Sequence, residues 1–300
     1  METKTLGRTG LEVTRLGLGL AEISRREQAG KEVEDATRVV NLALDSGINF
    51  LDTAACYATT EELIGSTVGH RRDEFILASK CGHAVDTSAE PWTAEVIAES
   101  IDRSLRRLQT DRLDVLQLHS CNLDVLKRGE VIEAVVEARD QGKTRFIGYS
   151  GDNEAAIWAA ESGIFDTLQT SFNLVDQGAR KKLLGAARAS DMGIIVKRPV
   201  GNGVWGRSES PYRYADEYFR RAQIMEEMGP VAGAPASPIL LATGFLFAHD
   251  VDTAIAGTHN PAHLTGNIEM VENDLPISTE AVEELQRRFD AVGQEWPGLT

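Results

Sequence analysis

Short apolar runs alternate with amphipathic stretches along almost the whole chain. The runs are strand-like, and most of the stretches between them repeat their apolar residues at helical spacing. Predicted strands occupy 15–19, 48–52, 75–80, 113–118, 145–149, 166–170, 193–197 and 253–256. Predicted helices occupy 33–46, 60–69, 96–108, 124–141, 153–162, 180–190, 212–228, 238–248, 261–271 and 279–292, with Thr93 as the N-cap of the third.

This order gives a series of eight β-then-α units. Such repetition favours a parallel sheet covered by helices, and eight units favour closure into a (β/α)8 TIM barrel of the α/β class. An open, doubly wound sheet is the alternative. We expect one domain over residues 1–300, with an N-terminal β-hairpin around Gly7 to Gly10, a C-terminal helix and a long loop after strand seven. That loop, 199–238, is predicted to be a lid or a binding loop.

Four polar residues lie at or just beyond the ends of predicted strands two, three and four. They are Asp52, Tyr57, Lys80 and His119. In a barrel, side chains at these positions meet at one end of the sheet. A phenol titrates near ~10 when free, and a neighbouring ammonium lowers that value toward the range of a general acid. An Asp, a Tyr, a Lys and a His together are suited to reducing a carbonyl group.

Each of the four also has a simpler interpretation. Asp52 and Lys80 could form a structural ion pair inside the barrel, His119 could be a hydrogen-bonded core histidine, and Tyr57 could be an ordinary loop aromatic. Only the joint pattern favours catalysis.

The charge balance argues against polyanionic partners. The chain has 31 Lys and Arg residues against 46 Asp and Glu residues, a formal net charge of −15. A charge of this sign argues against nucleic acid or an anionic membrane as a partner. The longest apolar stretch, 238–248, is too short to span a bilayer, and no export signal opens the chain. We therefore expect a cytoplasmic protein; the sequence does not predict its oligomeric state.

The three cysteines are Cys56, Cys81 and Cys121. An odd, sparse set is typical of a reducing compartment rather than of a disulfide framework. Together with His119 they would satisfy zinc by count, but no CxxC spacing is present. The prediction is that they are small buried fillers and that the chain holds no metal.

Segments around these positions resemble the aldo-keto reductase superfamily over nearly the whole chain. The similar segments are 47–54 followed by Tyr57 and Glu61-Glu62, then 78–80, 114–119, 142–150 and 257–267. The resemblance implies an NAD(P)H-linked enzyme in which Tyr57 donates a proton, Lys80 paired with Asp52 lowers the pKa of Tyr57, and His119 orients the carbonyl. It implies cofactor contacts at Gly19, Ser150, Gln169, Lys197, Arg198, Gly201, Gly257, Thr258, His263 and Asn267.

Three departures from the family pattern concern the cofactor. Ser150-Gly151-Asp152 stands where Ser-Asn is frequent, and Lys197-Arg198-Pro199 stands where many members place a stacking Tyr. Gly257 and His263 replace the Lys and Arg that hold a 2′-phosphate in some branches. Thr258, His259 and His263 could still contact a phosphate, so NADP(H) is favoured and NAD(H) is the alternative.

The sequence at 201–206 also fits GxGxxG. A Rossmann interpretation competes with a loop folding over the cofactor pyrophosphate, which is the one that the resemblance implies.

The expected activity is reduction of an aldehyde or ketone to an alcohol, and the expected substrates include sugar-like carbonyl compounds. Candidate walls of the substrate pocket are His83, Trp92, Trp205 and Trp296. Two other functions remain open. One is a cofactor-binding regulatory or sensor protein without turnover, and the other is a lyase that forms a Schiff base on Lys80.

Overall fold

A closed barrel of parallel strands forms the centre of the computed structural model, which describes residues 1–28, 36–85 and 88–299. A hairpin precedes the barrel and is formed by β1 (Thr3–Thr5) and β2 (Glu12–Thr14). The eight barrel strands in the described ranges are β3 (Leu16–Gly19), β4 (Phe50–Asp52), β5 (Ile76–Cys81), β6 (Leu113–His119), β7 (Thr144–Ser150), β8 (Thr167–Ser171), β9 (Gly193–Lys197) and β10 (Thr253–Ala256). They follow one another in chain order, and β10 closes on β3. The TIM-barrel prediction is therefore confirmed, and the open sheet is excluded.

Helices cover the outside of the barrel. In the described ranges they are α1 (Ala21–Gln28), α2 (Ala36–Asp45), α3 (Thr60–Val68), α4 (Ala94–Leu108), α5 (Leu123–Arg128), α6 (Glu130–Asp140), α7 (Asn153–Glu161), α8 (Gly178–Lys181), α9 (Leu183–Ala189), α10 (Asp216–Glu226), α11 (Pro238–Phe247), α12 (Pro261–Asn273) and α13 (Thr279–Val292). None of them is long and apolar enough to cross a membrane.

Two predicted helices are each divided in the structure. The 124–141 stretch forms α5 and α6, because Gly129 lies between them with φ of +83°. The 180–190 stretch becomes α8 and α9, separated at Lys182, whose φ of −139° is not helical. Residues 33–35 of the predicted 33–46 helix lie outside the described residues.

The hairpin closes the amino-terminal end of the barrel. Leu6, Leu11 and Val13 from the hairpin pack with Phe50 and Ile195 from the strands in one buried apolar cluster. Packing of the other strand faces against the helices forms the larger core. Since apolar side chains fill one end of the barrel, its polar side chains gather at the carboxyl end, where sites of this architecture form.

The long segment after β9 is folded and anchored. It contains a short 3-10 turn at Gly201–Gly203, another at Arg213–Ala215, and α10. The buried Arg221 on α10 donates from Nη2 to the carbonyl of Pro297 at 2.8 Å. The buried Arg288 on α13 donates to the carbonyls of Met225, Gly229 and Pro230 at 2.7–3.0 Å. These charged hydrogen bonds fix the segment against the C-terminal helix and tail.

Candidate active site

A buried ion pair lies at the carboxyl end of the second and third barrel strands. Asp52 ends β4, Lys80 lies near the end of β5, and both are 2% exposed. Lys80 Nζ donates to Asp52 Oδ1 at 2.6 Å and to the carbonyl oxygen of Thr53 at 2.8 Å. Such a pair is stable in the interior because its remaining polar atoms are also satisfied. Gln169 Nε2 donates to Asp52 Oδ2 at 2.7 Å and so meets this condition.

Tyr57 and His119 lie next to this pair. Lys80 Nζ is 5.0 Å from the centroid of the Tyr57 ring. The rings of Tyr57 and His119 meet edge to face, with centroids 5.6 Å apart at an interplanar angle of 76°. The structure thus brings together the four residues that the sequence singled out, although they lie on three strands and a loop.

The titration of Tyr57 differs in direction from the one expected. Removal of water by the surrounding walls raises the pKa of Tyr57 above its ordinary value, and the Lys80 ammonium offsets only part of that effect. Burial also opposes the charge on Lys80, but the Asp52 carboxylate outweighs it, so the pKa of Lys80 is raised. Tyr57 is therefore a protonated phenol at neutral pH beside a fixed ammonium ion.

Two more ring side chains extend the wall around His119. The His83 ring lies 4.9 Å from the His119 ring, and the Trp92 ring lies 4.9 Å from the His83 ring. Desolvation, reinforced by the ammonium of Lys80, lowers the pKa of His119 well below its ordinary value. The His119 imidazole is therefore neutral at neutral pH, so that one ring nitrogen can donate a hydrogen bond and the other can accept one.

A row of amide and hydroxyl groups continues from Asp52 across the barrel. Ser150 Oγ donates to Gln169 Oε1 at 3.0 Å, which connects both of these predicted cofactor contacts to Asp52. Gln117 Nε2 approaches the same Asp52 oxygen at 3.5 Å, and Gln117 Oε1 has no partner within the described residues. Gln117 is a buried polar residue of this site that was not among those predicted from the sequence. Its position two residues before His119 on β6, and hence on the same face of the strand, is the signal that could have identified it.

Lys197 and Arg198 lie in ionic and aromatic surroundings of their own. Lys197 Nζ is 3.0 Å from the buried Asp152 carboxylate, which also accepts from the backbone N–H of Ser171 at 2.7 Å. Arg198 has φ of +57°, and its guanidinium donates to the Tyr214 hydroxyl and to the carbonyl of Leu299. The departures noted in the sequence thus form an ion pair and an anchored arginine at the ends of β7 and β9.

Five other predicted cofactor contacts lie beside β3, β10 and the start of α12. Gly19 and Gly257 approach closely, since a Cβ atom on Gly257 would lie 3.3 Å from the carbonyl oxygen of Gly19. Thr258 Oγ1 accepts from the N–H of Asn260, the N-cap of α12, at 3.1 Å. His263 and Asn267 follow one turn apart on α12.

One acidic residue, Glu22 on α1, faces this region. Its Oε1 lies 4.0 Å from His259 Nδ1. Gly201, in the loop predicted to fold over the cofactor pyrophosphate, is buried with φ of +55°, and a Cβ there would lie 3.2 Å from Asn173 Oδ1.

The remaining two tryptophans predicted as pocket walls lie elsewhere. Trp205 lines a cavity of about 430 Å³ with Glu226, Pro230 and Leu241, between the long segment and α11. Trp296 packs edge-on against Phe289, with ring centroids 5.7 Å apart. Within the described residues, neither ring pairs with Tyr57 or His119.

The cysteines also divide into two kinds. Cys81 and Cys121 are buried, at 2% and 1% exposure. Cys56 is half-buried, and its Sγ lies 3.4 Å from His119 Nδ1.

Comparison with known proteins agrees with this geometry. The sequence model that describes the aldo/keto reductase family matches residues 15–288 of this chain. L-galactose dehydrogenase of Arabidopsis thaliana is 35% identical over 80% of this chain and 72% of its own. D-threo-aldose 1-dehydrogenase of a Pseudomonas species is 26% identical over 89% of this chain and 92% of its own. The holo form of an aldo-keto reductase from Bacillus halodurans superposes with a TM-score of 0.79, at 27% identity over 96% of both chains. The chain therefore belongs to the aldo/keto reductase family of oxidoreductases.

Proposed function

We propose that the protein reduces an aldehyde or ketone to an alcohol with NAD(P)H, and that Tyr57 donates the proton. The buried Lys80–Asp52 pair beside Tyr57 carries this proposal, because it holds a positive charge where a phenol must lose a proton. A bound dihydronicotinamide supplies the hydride. The lysine stabilises the phenolate that remains after proton transfer to the alkoxide oxygen, and the neutral His119 donates a hydrogen bond that fixes the same oxygen.

The residues at the ends of β7 and β8 suit the carboxamide of a nicotinamide. Gln169 donates one amide hydrogen to Asp52 and accepts one hydrogen bond from Ser150. The second amide hydrogen of Gln169 and the lone pairs of the Ser150 hydroxyl can therefore still form hydrogen bonds to a ligand. Gln117 Oε1, for which the described part of the chain offers no hydrogen-bond donor, adds a further buried acceptor in the same row. Ser150 and Gln169 would therefore hold the carboxamide while Asp52 keeps their orientation.

The position that often carries a stacking tyrosine has no ring here. Lys197 is occupied by Asp152, so this wall offers a neutralised ion pair instead of a free cation. We infer that the nicotinamide is held at this side by the aliphatic stem of Lys197 and by the anchored Arg198 backbone.

The substrate class that we propose is a small polar carbonyl compound of the sugar type. Its support comes from two relatives whose names describe action on galactose and on aldoses. His83 and Trp92 beside His119 offer one polar and one aromatic wall, a combination that suits a polyhydroxylated substrate. The reverse reaction is oxidation of a hydroxyl group of a sugar. It uses the same residues, with Tyr57 as the proton acceptor.

The proposed cofactor is NADP(H), with NAD(H) as the competing outcome. Thr258, His259 and His263 surround the start of α12, and the amino end of a helix favours a negatively charged group. Within the described residues 257–267, however, no Lys or Arg is present, and Glu22 lies close. Separate titrations of intrinsic tryptophan fluorescence with NADPH and NADH decide between the two.

The decisive test of the activity is the Tyr57→Phe variant, assayed with an aldose panel. Removing a general acid typically costs about 10²- to 10⁴-fold in rate, so we expect kcat to fall by at least 100-fold while NADPH affinity is retained. Tyr149→Phe is the matched control, because it removes the same hydroxyl from a tyrosine whose hydroxyl donates to the carbonyl of Cys121, outside the group of four. Unchanged turnover in Tyr57→Phe would contradict the proposal.

The structure gives no specific support to a Schiff-base lyase. A lysine nucleophile must be free and uncharged, whereas Lys80 is buried, doubly hydrogen-bonded and has a raised pKa. Borohydride treatment in the presence of a carbonyl substrate is expected to leave Lys80 unmodified, as judged by mass spectrometry. A regulatory protein without turnover would bind the nicotinamide but fail to oxidise NADPH with every carbonyl compound of the panel.

A further inference from the structure

A cysteine and two histidines meet at the mouth of the barrel beside Tyr57. Cys56 comes from the loop after β4, His83 from the loop after β5, and His119 from the end of β6. One ligand atom of each, a sulfur and two ring nitrogens, lies within 4.8 Å of the other two. The shortest approach, between Cys56 Sγ and His119 Nδ1, is 3.4 Å. We call these three residues the Cys-His-His cluster.

We propose that the Cys-His-His cluster is a binding site for a divalent cation of the zinc class. Thiolate and imidazole are the ligands that Zn²⁺ takes in proteins, and three protein ligands leave the fourth tetrahedral position to solvent. With Zn–S and Zn–N bonds of about 2.3 and 2.0 Å, ligand atoms around the ion lie about 3.5 Å apart. The three ligand atoms lie within 4.8 Å of one another, so no pair exceeds that separation by more than about 1.3 Å.

The donor atoms of the three residues suit metal binding. Zinc is bound in proteins by the neutral imidazole of histidine and by the thiolate of cysteine. Coordination converts the Cys56 thiol to a bound thiolate, and its proton leaves to solvent. The ammonium groups of Lys80 and Lys197 oppose the incoming cation, whereas the Asp52 carboxylate neutralises the first and Asp152 the second.

Metal binding and carbonyl reduction would compete for His119. This second part of the proposal rests on the proposed function, in which His119 donates a hydrogen bond to the substrate oxygen. A cation bound to His119 would lie beside Tyr57, since the two rings meet edge to face. We therefore expect Zn²⁺ to inhibit the enzyme reversibly, in competition with the carbonyl substrate, and a chelator to restore activity.

The test of the site itself is spectroscopic and does not depend on turnover. Chelator-treated protein is titrated with Co²⁺, which replaces zinc and reports thiolate ligation by a charge-transfer band in the near ultraviolet. We expect a stoichiometric band in the native chain, its loss in Cys56→Ser, and its retention in the matched thiol control Cys121→Ser. His83→Asn should weaken cobalt affinity by at least about tenfold. Loss of a residue that only hydrogen-bonds to a metal ligand already lowers metal affinity by about that factor, and His83 is proposed as a ligand itself.

A second measurement covers the case in which a variant fails to fold. In the native chain, Zn²⁺ should protect Cys56 from alkylation by iodoacetamide, as measured by mass spectrometry of the Cys56 peptide. No cobalt band in the native chain, a band that persists in Cys56→Ser, or alkylation unaffected by zinc would overturn the proposed site. A protein that binds cobalt but shows no reductase activity would instead contradict the proposed function and leave the site supported.

Discussion

At the scale of single residues, the proton on Tyr57 determines how reduction depends on pH. Reduction requires a protonated phenol, and the pKa of Tyr57 is raised by desolvation. The rate should therefore be constant through neutral pH and fall only as the pH rises through that pKa, above about 10. The measurement is kcat for reduction between about pH 6 and the alkaline limit of stability.

The acid side of the same profile tests His119. Its pKa lies well below the ordinary value, so the imidazole stays neutral near pH 6.5. A fall or rise of kcat centred near pH 6.5 would mean that His119 titrates there, which would contradict its assignment as a neutral hydrogen-bond donor.

The Lys80→Met variant tests the role of the ammonium ion beside Tyr57. Loss of the ammonium should raise the pKa of Tyr57 further and slow the oxidation direction, which needs the phenolate.

A second prediction at this scale concerns the choice of cofactor. Glu22 is 4.0 Å from His259, within the motif expected to contact the 2′-phosphate. Replacement of Glu22 by Gln removes a negative charge that would repel the phosphate, an effect of roughly 1 kcal/mol for a partly exposed pair. We expect NADPH to bind about fivefold more tightly and NADH binding to change little, as measured by fluorescence titration.

Glu27→Gln provides the control for this prediction. Glu27 is on the same helix α1, but its carboxylate accepts from the hydroxyl of Thr59, away from His259. Equal effects of Glu22→Gln on both nucleotides would show that the carboxylate does not face the 2′ position.

At the scale of elements, hydrophobic periodicity predicted those segments whose burial is regular. Strand β9 and helix α13 have the predicted bounds, because each has a continuous apolar pattern and a clear cap or glycine at its end. Helix α1 was not predicted, since its sequence AEISRREQ is polar and, of residues 21–27, only Ile23 and Ser24 are buried. The break at Gly129 was hidden because the apolar pattern continues on both sides of a residue whose φ only the folded chain reveals.

Two helical glycines give opposite predictions that test the packing of elements. A Cβ on Gly65 of α3 would lie 2.3 Å from the carbonyl oxygen of Arg107 on α4, whereas a Cβ on Gly185 of α9 has no neighbour within 4 Å. Gly65→Ala should therefore lower the free energy of unfolding by about 1–3 kcal/mol through overpacking. Gly185→Ala should raise it by up to about 1 kcal/mol, since alanine is the better helix former.

Urea unfolding of the two variants beside the native chain measures both effects. If Gly65→Ala proved as stable as the native chain, the close contact between α3 and α4 would have to relax without cost.

For the molecule as a whole, the barrel could be predicted from the sequence, but the packing of the long segment after β9 against α13 and the tail could not. Eight alternating units determine a parallel barrel, and the carboxyl ends of its strands necessarily meet, which is why Asp52, Lys80 and His119 converge. The placement of Trp205 and Trp296 depends instead on contacts between α10, α13 and the tail, distant in sequence. Buried arginines such as Arg221 and Arg288 determine these contacts, and no local pattern marks them.

Asp176 joins the barrel, the long segment and the tail, and its titration should influence the stability of the whole molecule. It accepts from the hydroxyl of Tyr218 on α10 at 2.8 Å and from the N–H of Leu299 at 3.3 Å. Burial, followed by repulsion from Asp152, raises the pKa of Asp176 to about 6. The unfolded value is about 3.9, so between these values the folded state binds more protons, and the contribution of Asp176 to stability falls as the pH rises.

Above about pH 6 this contribution amounts to a penalty on the order of 3 kcal/mol, because each unit of pKa shift corresponds to about 1.4 kcal/mol. Asp176→Asn keeps an acceptor for Tyr218 without the charge. We expect it to be more stable than the native chain at pH 8, with the difference shrinking toward pH 5, as measured by urea unfolding at both values. Asp140→Asn, an exposed change on α6, should show no such pH dependence. Equal destabilisation of Asp176→Asn at both pH values would instead mean that the charge of Asp176 is needed to hold Arg221, 3.8 Å away.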